Sequence, residues 1–280
     1  MLRTRVIPCL LLAAGGLVKT ERFRRPRYIG DPINAVRIFN EKFVDEIALI
    51  DIEASRLGRP PDFELVEKII SEAFMPFCYG GGVRSVEDAE RLFAIGVEKV
   101  SVNAAAIEQP DLVRRLADRF GSQSVVVAVD TRRGLWQGPR VFHHCSDKLL
   151  AARPAEHARS MQEHGAGELL VTSVDRDGTM SGYDLEVLRS ITAAVDIPVI
   201  ACGGAGSMAD IVQVVTEAGV SAAAAGSLFV YRGRRRAVLI SYPSQEELRT
   251  AFPALSDEGQ GRVVESATLT AVGDREVGRS

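Results

Sequence analysis

The chain has 280 residues, of which 46% are hydrophobic and 25% charged, and its net charge is −3. That length and apolar content suit one large domain with a full core, or two small ones, and the near-neutral balance carries no overall footprint for nucleic acid or a membrane surface. No run of about eighteen apolar residues occurs, so no bilayer-spanning helix is expected. The four scattered cysteines, Cys9, Cys78, Cys145 and Cys202, make neither a metal spacing nor a disulfide framework, which points to a reducing, cytoplasmic setting with no metal and no cofactor.

The apolar start Met1–Ala14 is only superficially like a signal peptide. Pro8 interrupts it and a strongly basic Lys19–Arg27 follows, so it reads as a first strand, Arg5–Leu11. A long loop, Ala13–Pro32, comes next and could act as a lid. Asp31 and Pro32 open a helix over Ile33–Lys42. Strands are expected at Glu46–Asp51, Pro76–Tyr79 and Lys99–Asn103, with a capping-box start at Ser85–Asp88 for a helix over Ala89–Ile95. Gln109 and Pro110 open Asp111–Arg119, and Ser124–Asp130 forms the fifth strand. Thr131–His144, with Gly134, Gly138, Pro139 and Trp136, reads as an inserted hairpin. Strands at Glu168–Ser173, Pro198–Cys202 and Ser221–Ala225 alternate with helices over Leu185–Ala194 and Ala209–Ala218, the latter capped by Ser207. The strands are apolar throughout, as strands covered on both faces should be. The basic run Arg232–Ala237 is either a solvated helix face or an anion-attracting rim or docking patch. After residue 243 the chain turns polar; Ser244–Ser280 reads as a surface appendage with one short helix, Gln245–Ala251, and a mobile end.

Roughly eight strand–helix units in about 240 residues predict a single (β/α)8 barrel over residues 1–243. An open doubly wound sheet is the competing architecture, and an internal repeat decides against it. Gly80–Ser85 is echoed by Gly203–Ser207, and Arg5–Leu11 by Ser124–Asp130, at an offset of about 120 residues, as two fused half-barrels would be.

In such barrels the chemistry sits at the carboxyl ends of the strands. Glycine-rich turns leading into helices, at Gly80–Gly82 and at Gly203 and Gly204, expose backbone N–H groups suited to phosphate. Two of them imply a substrate, present or ancestral, with a phosphate at each end. Asp130 closes an apolar strand and can act as acid or base there, or it can cap the turn that follows. Asp177 and Gly178 lie in a polar, glycine-rich loop suited to phosphate or substrate closure. Asp51 reads equally as a site residue or as an acceptor for neighbouring amides, and Lys19 as a lid residue or a solvated lysine. Cys202 reads as a small filler at a strand end. At the opposite ends, Arg5, Glu46, Lys99 and Glu168 stand at or beside the first residues of strands, either as rim salt bridges or as a gate to a central passage.

These residues resemble the cyclase subunit of imidazole glycerol phosphate synthase. The motifs that carry the likeness include Arg5–Leu10, Val18 and Lys19, Gly30–Pro32, Asp51 and Ile52, Gly80–Gly82, Lys99–Asn103, Asp130, Asp175–Thr179, Ser181–Asp184 and Gly203–Gly206, and it spans about residues 1–243. The resemblance implies a barrel whose floor docks a glutaminase subunit, with ammonia passing through the barrel to a bisphosphorylated substrate at the mouth. It matches Arg5, Glu46, Lys99 and Glu168 to the gate. It matches Gly82 and Asn103 to one phosphate contact, and Asp177, Gly178, Gly204, Gly226 and Ser227 to the other. The family uses one aspartate on the first strand and one on the fifth. The second matches Asp130, but the first falls on Leu11, which transfers no proton. Cys145–Ala151 also departs from the family's polar, glycine-containing fifth loop.

A branch of the family resembles this chain further in Leu10–Leu12, Gly16–Thr20, Arg25–Lys42, Cys78–Gly80 and Ala225–Val230. That branch is linked to forming acetamidino groups on sugars of bacterial surface polysaccharides, with a sugar amidotransferase as the ammonia acceptor's enzyme. Three expectations follow in order: an ammonia-conducting barrel without cyclase activity, a working cyclase of histidine biosynthesis in which Asp51 or Lys19 substitutes for the missing acid, and a non-catalytic phosphate-binding scaffold.

Overall fold

The computed structural model describes residues 4–134, 138–233 and 235–252. Eight parallel strands, Arg5–Ala13, Ile47–Asp51, Phe77–Gly80, Lys99–Val102, Val125–Gly134, Glu168–Ser173, Val199–Cys202 and Ala222–Ala225, pair in sequence order. The eighth pairs with the first, Arg5 beside Ala222, so the sheet closes into a barrel with helices between the strands, as the alternation predicts. The first and fifth strands stand on opposite sides of this ring.

Two apolar layers hold it together. Along the first strand Val6, Leu10 and Leu12 face the helices and join a cluster with Phe39, Leu49 and Tyr79. Ile7 and Cys9 face inward with Ala48, Cys78, Val126, Leu170, Ile200, Cys202, Ala222 and Ala224, and Leu11 packs on that inner cluster. Successive strand residues point to opposite faces, so Arg5, Ile7, Cys9 and Leu11 form one inward row. Each large apolar side chain fully buried in the outer layer contributes about 1.5–3 kcal/mol.

Helix starts follow their sequence signals. Asp31 accepts from the Asn34 amide at 2.8 Å and Pro32 opens the helix Pro32–Glu41. Ser85 with Asp88, and Ser207 with Asp210, form the same reciprocal capping box at the same place in each half. Helices Phe63–Ile70, Ala104–Glu108, Pro154–Glu163 and Ser227–Val230 have no counterpart among the sequence expectations.

Some of the extra segments differ from their predicted form. Ala13–Pro32 is not a long loop: Gly16–Glu21 and Arg24–Gly30 form an antiparallel hairpin, the first of them paired with the barrel's first strand. The fifth strand runs on through Gly134 and pairs with Gly138–His143, which is the expected hairpin; its tip with Trp136 lies outside the described residues. The basic run is not a helix face, because Tyr231–Arg232 pairs with Ala237–Val238. Helix Gln245–Ala251 forms as expected, but it is more than a polar appendage: Leu248 and Phe252 sit in the outer core cluster. The predicted mobile end beyond it lies outside the described residues. No helix among the described residues is long and apolar enough to cross a membrane.

Leu248→Ala is expected to lower the unfolding free energy by about 2–4 kcal/mol, measured by urea denaturation. A change within error would show that residues beyond 243 contribute nothing to the barrel's stability.

Candidate functional site

The carboxyl ends of the strands enclose a cavity of about 440 Å³. It is lined by Gly82, Asn103, Gly178, Gly204, Gly226 and Ser227 from the two expected phosphate cradles, and by Lys19, Asp51, Asp130 and Asp177. Leu11 lines it too, as its inward position on the first strand requires.

The cradles are built alike. Helices Ala104–Glu108 and Ser227–Val230 begin after Asn103 and Gly226, and neither has a side-chain cap. Asp31, Asp62, Ser85, Asp184, Ser207 and Ser244 cap other helices with side chains. The uncapped ends therefore leave backbone N–H groups beside the cavity without a protein acceptor. Each carries a buried oxygen lacking a hydrogen-bond partner, Asn103 Oδ1 and Ser227 Oγ, and such atoms are rare in folded proteins. Glycine is required at two approaches. Gly81 and Gly204 hold φ of +110° and +116°, and a Cβ there would stand 2.3 Å from Asp51 O and 2.1 Å from Gly182 O.

The carboxylates of the mouth are not equivalent. Asp51 Oδ1 accepts from the amides of Glu53 at 2.9 Å and Ala54 at 3.0 Å, the structural arrangement that its position also allowed. Asp177 is clasped by Lys19 Nζ at 3.0 Å and by Thr20 Oγ1 at 2.8 Å. Lys19 is thus a buried ion-pair partner and not a solvated lysine. The Arg22 amide donates to Asp177 O at 2.9 Å, so the clasp pins the first hairpin over the sixth loop. Asp147 pairs with Arg132 at 3.3 Å.

Asp130 has a different environment. It is buried, and its Oδ2 accepts from Asn103 Nδ2 at 3.1 Å. His144 Nδ1 stands 3.6 Å from the same oxygen, and His144 Nε2 lies 3.4 Å from Cys145 Sγ. Burial disfavours the imidazolium, but the Asp130 carboxylate and the Cys145 sulfur outweigh it and push the His144 pKa up to about 10. No sequence spacing signals this contact; the inserted hairpin folds back and returns His144 to the strand from which it departs. Across the barrel stands Leu11, which brings no titratable group.

At the floor, the four predicted charges meet. Arg5 bridges Glu46 and Glu168, and Lys99 Nζ reaches Glu46 at 3.1 Å and Glu168 at 2.9 Å. Both carboxylates are buried. Burial disfavours both cations, yet their carboxylate partners raise the pKa values of Arg5 and Lys99 above the ordinary range. The inner cluster, apolar and rich in alanine and thiols, fills the space between this ring and the mouth. Burial pushes the Cys78 thiol up; the hydrogen bond with Cys9, followed by burial, does the same to Cys202. Those thiols stay neutral.

The sequence profile of the histidine biosynthesis protein family matches residues 5–235. A protein of Pseudomonas aeruginosa provisionally named imidazole glycerol phosphate synthase subunit hisF2 is 53% identical over 248 residues, covering 89% of this chain and 99% of the relative. A Leptospira interrogans protein provisionally named as the same synthase's subunit HisF is 46% identical, covering 90% of this chain and all of the relative. A Vibrio vulnificus protein provisionally named subunit hisF3 is 47% identical, covering 90% and 97%.

Because the folded His144 pKa lies above its ordinary value near 6.5, the stability it contributes is full below pH 6.5 and is lost as pH rises through about 10. An NMR titration of the imidazole is expected to show a midpoint well above 7 in the native chain, moving down toward or below 6.5 in Asp130→Asn, where burial is opposed by Cys145 alone. A native midpoint below 7 would contradict the pairing.

Proposed function

The chain belongs to the histidine biosynthesis protein family, among the cyclase subunits of imidazole glycerol phosphate synthase, and from that premise we propose that it conducts ammonia from a glutaminase to an acceptor and has lost the cyclase step. The observation that carries this reading is the coexistence of a complete charge ring at the floor with Leu11 facing Asp130 across the mouth. Conduction needs the floor intact and needs no proton-transfer couple. Cyclisation needs an acid and a base on opposite faces, each typically worth ~10²–10⁴-fold.

The chemistry of the barrel's interior suits conduction. Above the ring it is packed with small and apolar groups, among them Ala48, Ala222, Ala224, Cys78 and Cys202. An unpaired ammonium ion would be heavily penalised there by desolvation, whereas neutral ammonia is not. The ring must part for a molecule to enter, and its four charges are arranged so that either cation can keep both carboxylates paired while the other moves. The floor also presents apolar surface: Phe43 and Phe74, in the loops before the second and third strands, are 76% and 87% exposed. Large exposed aromatics beside a charged portal suit a protein partner, and we assign that partner as the glutaminase. The acceptor enzyme is assigned as a sugar amidotransferase on the resemblance in Leu10–Leu12 and Arg25–Lys42 to the acetamidino-sugar branch.

A second reading, a working cyclase, draws on His144 as a substitute proton carrier. Its place 3.6 Å from Asp130 is on the fifth-strand side, not on the face where Leu11 stands, so it does not restore a couple across the mouth. A scaffold without a glutaminase would have no use for the exposed floor phenylalanines.

Purified native chain supplied with ammonium and the family's bisphosphate substrate is expected to turn over at a trace rate, and Leu11→Asp to raise it by ~10²–10⁴-fold; native turnover near that of the family's working cyclases would overturn the loss of activity. Phe74→Glu is expected to abolish co-elution with a co-encoded glutaminase while leaving thermal unfolding unchanged. Glu46→Gln is expected to preserve glutamine hydrolysis in the complex while acceptor amination falls behind it. Tight coupling in that variant would refute a gate at the floor.

A further inference from the structure

Beside the mouth lies a second cavity of about 370 Å³ that the proposed activity does not use. Its charged lining is six cations to one carboxylate: Lys19, Arg22, Arg24, Arg25 and Arg27 from the first hairpin and Arg236 from the basic run near the end of the barrel, against Glu21. Lys19 is committed to Asp177, and Arg236 reaches Glu21 at 3.2 Å. Among the described residues, Arg22, Arg24, Arg25 and Arg27 have no carboxylate partner. Four arginines without a carboxylate partner thus line one concave surface of a chain whose net charge is −3. The concentration is local and is not a consequence of a basic protein.

The backbone is bent to present them. Arg22, Phe23 and Arg25 hold φ of +52°, +59° and +52°, a region that non-glycine residues seldom occupy. The pairing of the two hairpin strands is irregular between Lys19 and Glu21. One wall of the cup is the ring of Tyr231, with the Arg27 guanidinium 5.9 Å from its centroid. Lys19, Thr20, Arg22 and Arg24 line both this cup and the main cavity, so the two spaces meet at the hairpin.

We propose that this cup binds a small molecule carrying a diphosphate group, held at the rim so that its other end reaches the mouth. The guanidinium fork matches phosphoryl oxygens two at a time, and several forks around one space exceed what a single phosphate can engage. The cup's volume lies at the low end of small-ligand pockets, and its concavity fits a compact anion better than an extended acidic chain. The site is separate from the glycine-rich cradles, which present backbone amides, and it stands whether or not the chain conducts ammonia.

The test is calorimetric titration of the full chain with inorganic pyrophosphate, with inorganic phosphate and with poly-glutamate. Pyrophosphate is expected to bind more tightly than phosphate. Arg25→Glu and Arg27→Glu are each expected to weaken it about tenfold or more, the effect of losing one charge-assisted hydrogen bond, whereas Ser227→Ala in the cradle leaves it unchanged. These arginines are exposed, and an unaltered thermal unfolding curve verifies that the variants fold. Three results would overturn the proposal: no heat with pyrophosphate, binding that Ser227→Ala weakens while the arginine changes do not, or binding of poly-glutamate alone, which would make the cup a docking surface for an acidic protein.

Discussion

The two-residue period of the first strand is the constraint on which the rest of the molecule depends. Arg5, Ile7, Cys9 and Leu11 share one inward row because alternate side chains of a strand must point the same way. The row begins in the charge ring, passes through the apolar inner cluster and ends in the mouth. A shift of one residue would send Arg5 into the helix layer and bring Val6 and Leu10 inside. Register therefore specifies floor, interior and mouth together, and it makes the residue at position 11 a statement about chemistry. An aliphatic group there cannot be excused as pointing elsewhere.

The floor and the mouth handle buried charge differently. At the floor, two cations and two carboxylates satisfy one another, each cation touching both anions. Such a cluster gains little net stability over an apolar plug, because desolvation offsets most of the Coulombic attraction, yet losing one member leaves a neighbour stranded. Its value is specificity of arrangement at the barrel's lower opening. At the mouth, Lys19 and Asp177 form a similar buried pair whose effect is mechanical: it fastens a strained hairpin across the sixth loop. Asp130 and His144 make a third pair, looser at 3.6 Å and within reach of the cavity.

The two halves solve the same local problem with the same parts and diverge where ligands would sit. Both use a serine–aspartate capping box after a glycine turn, and both leave a short helix uncapped beside the cavity. The insertions are not shared. A basic hairpin follows the first strand and a histidine-bearing hairpin follows the fifth, so the symmetric cradle is flanked by unlike walls. That asymmetry is what would let one mouth hold chemically different groups at its two sides.

The chain by itself determined the barrel, the number and order of its strands and the placement of the floor charges, because those rest on periodicity and on turn and cap residues that act over a few positions; the first and fifth strands run past their expected ends because each continues into a hairpin. Eight apolar runs, the repeated glycine turns and the placement of Arg5, Glu46, Lys99 and Glu168 at strand starts are local signals, and the closed sheet brings the four together. Asp51 was ambiguous in sequence because an aspartate two residues before a free amide looks the same whether or not a ligand is near. Only the tertiary structure decided that Lys19 is buried against Asp177, that His144 returns to Asp130, and that arginines from residues 22–27 meet Arg236. Those contacts join segments separated by up to some two hundred residues, and no local propensity encodes the path by which a hairpin folds back over a barrel's rim.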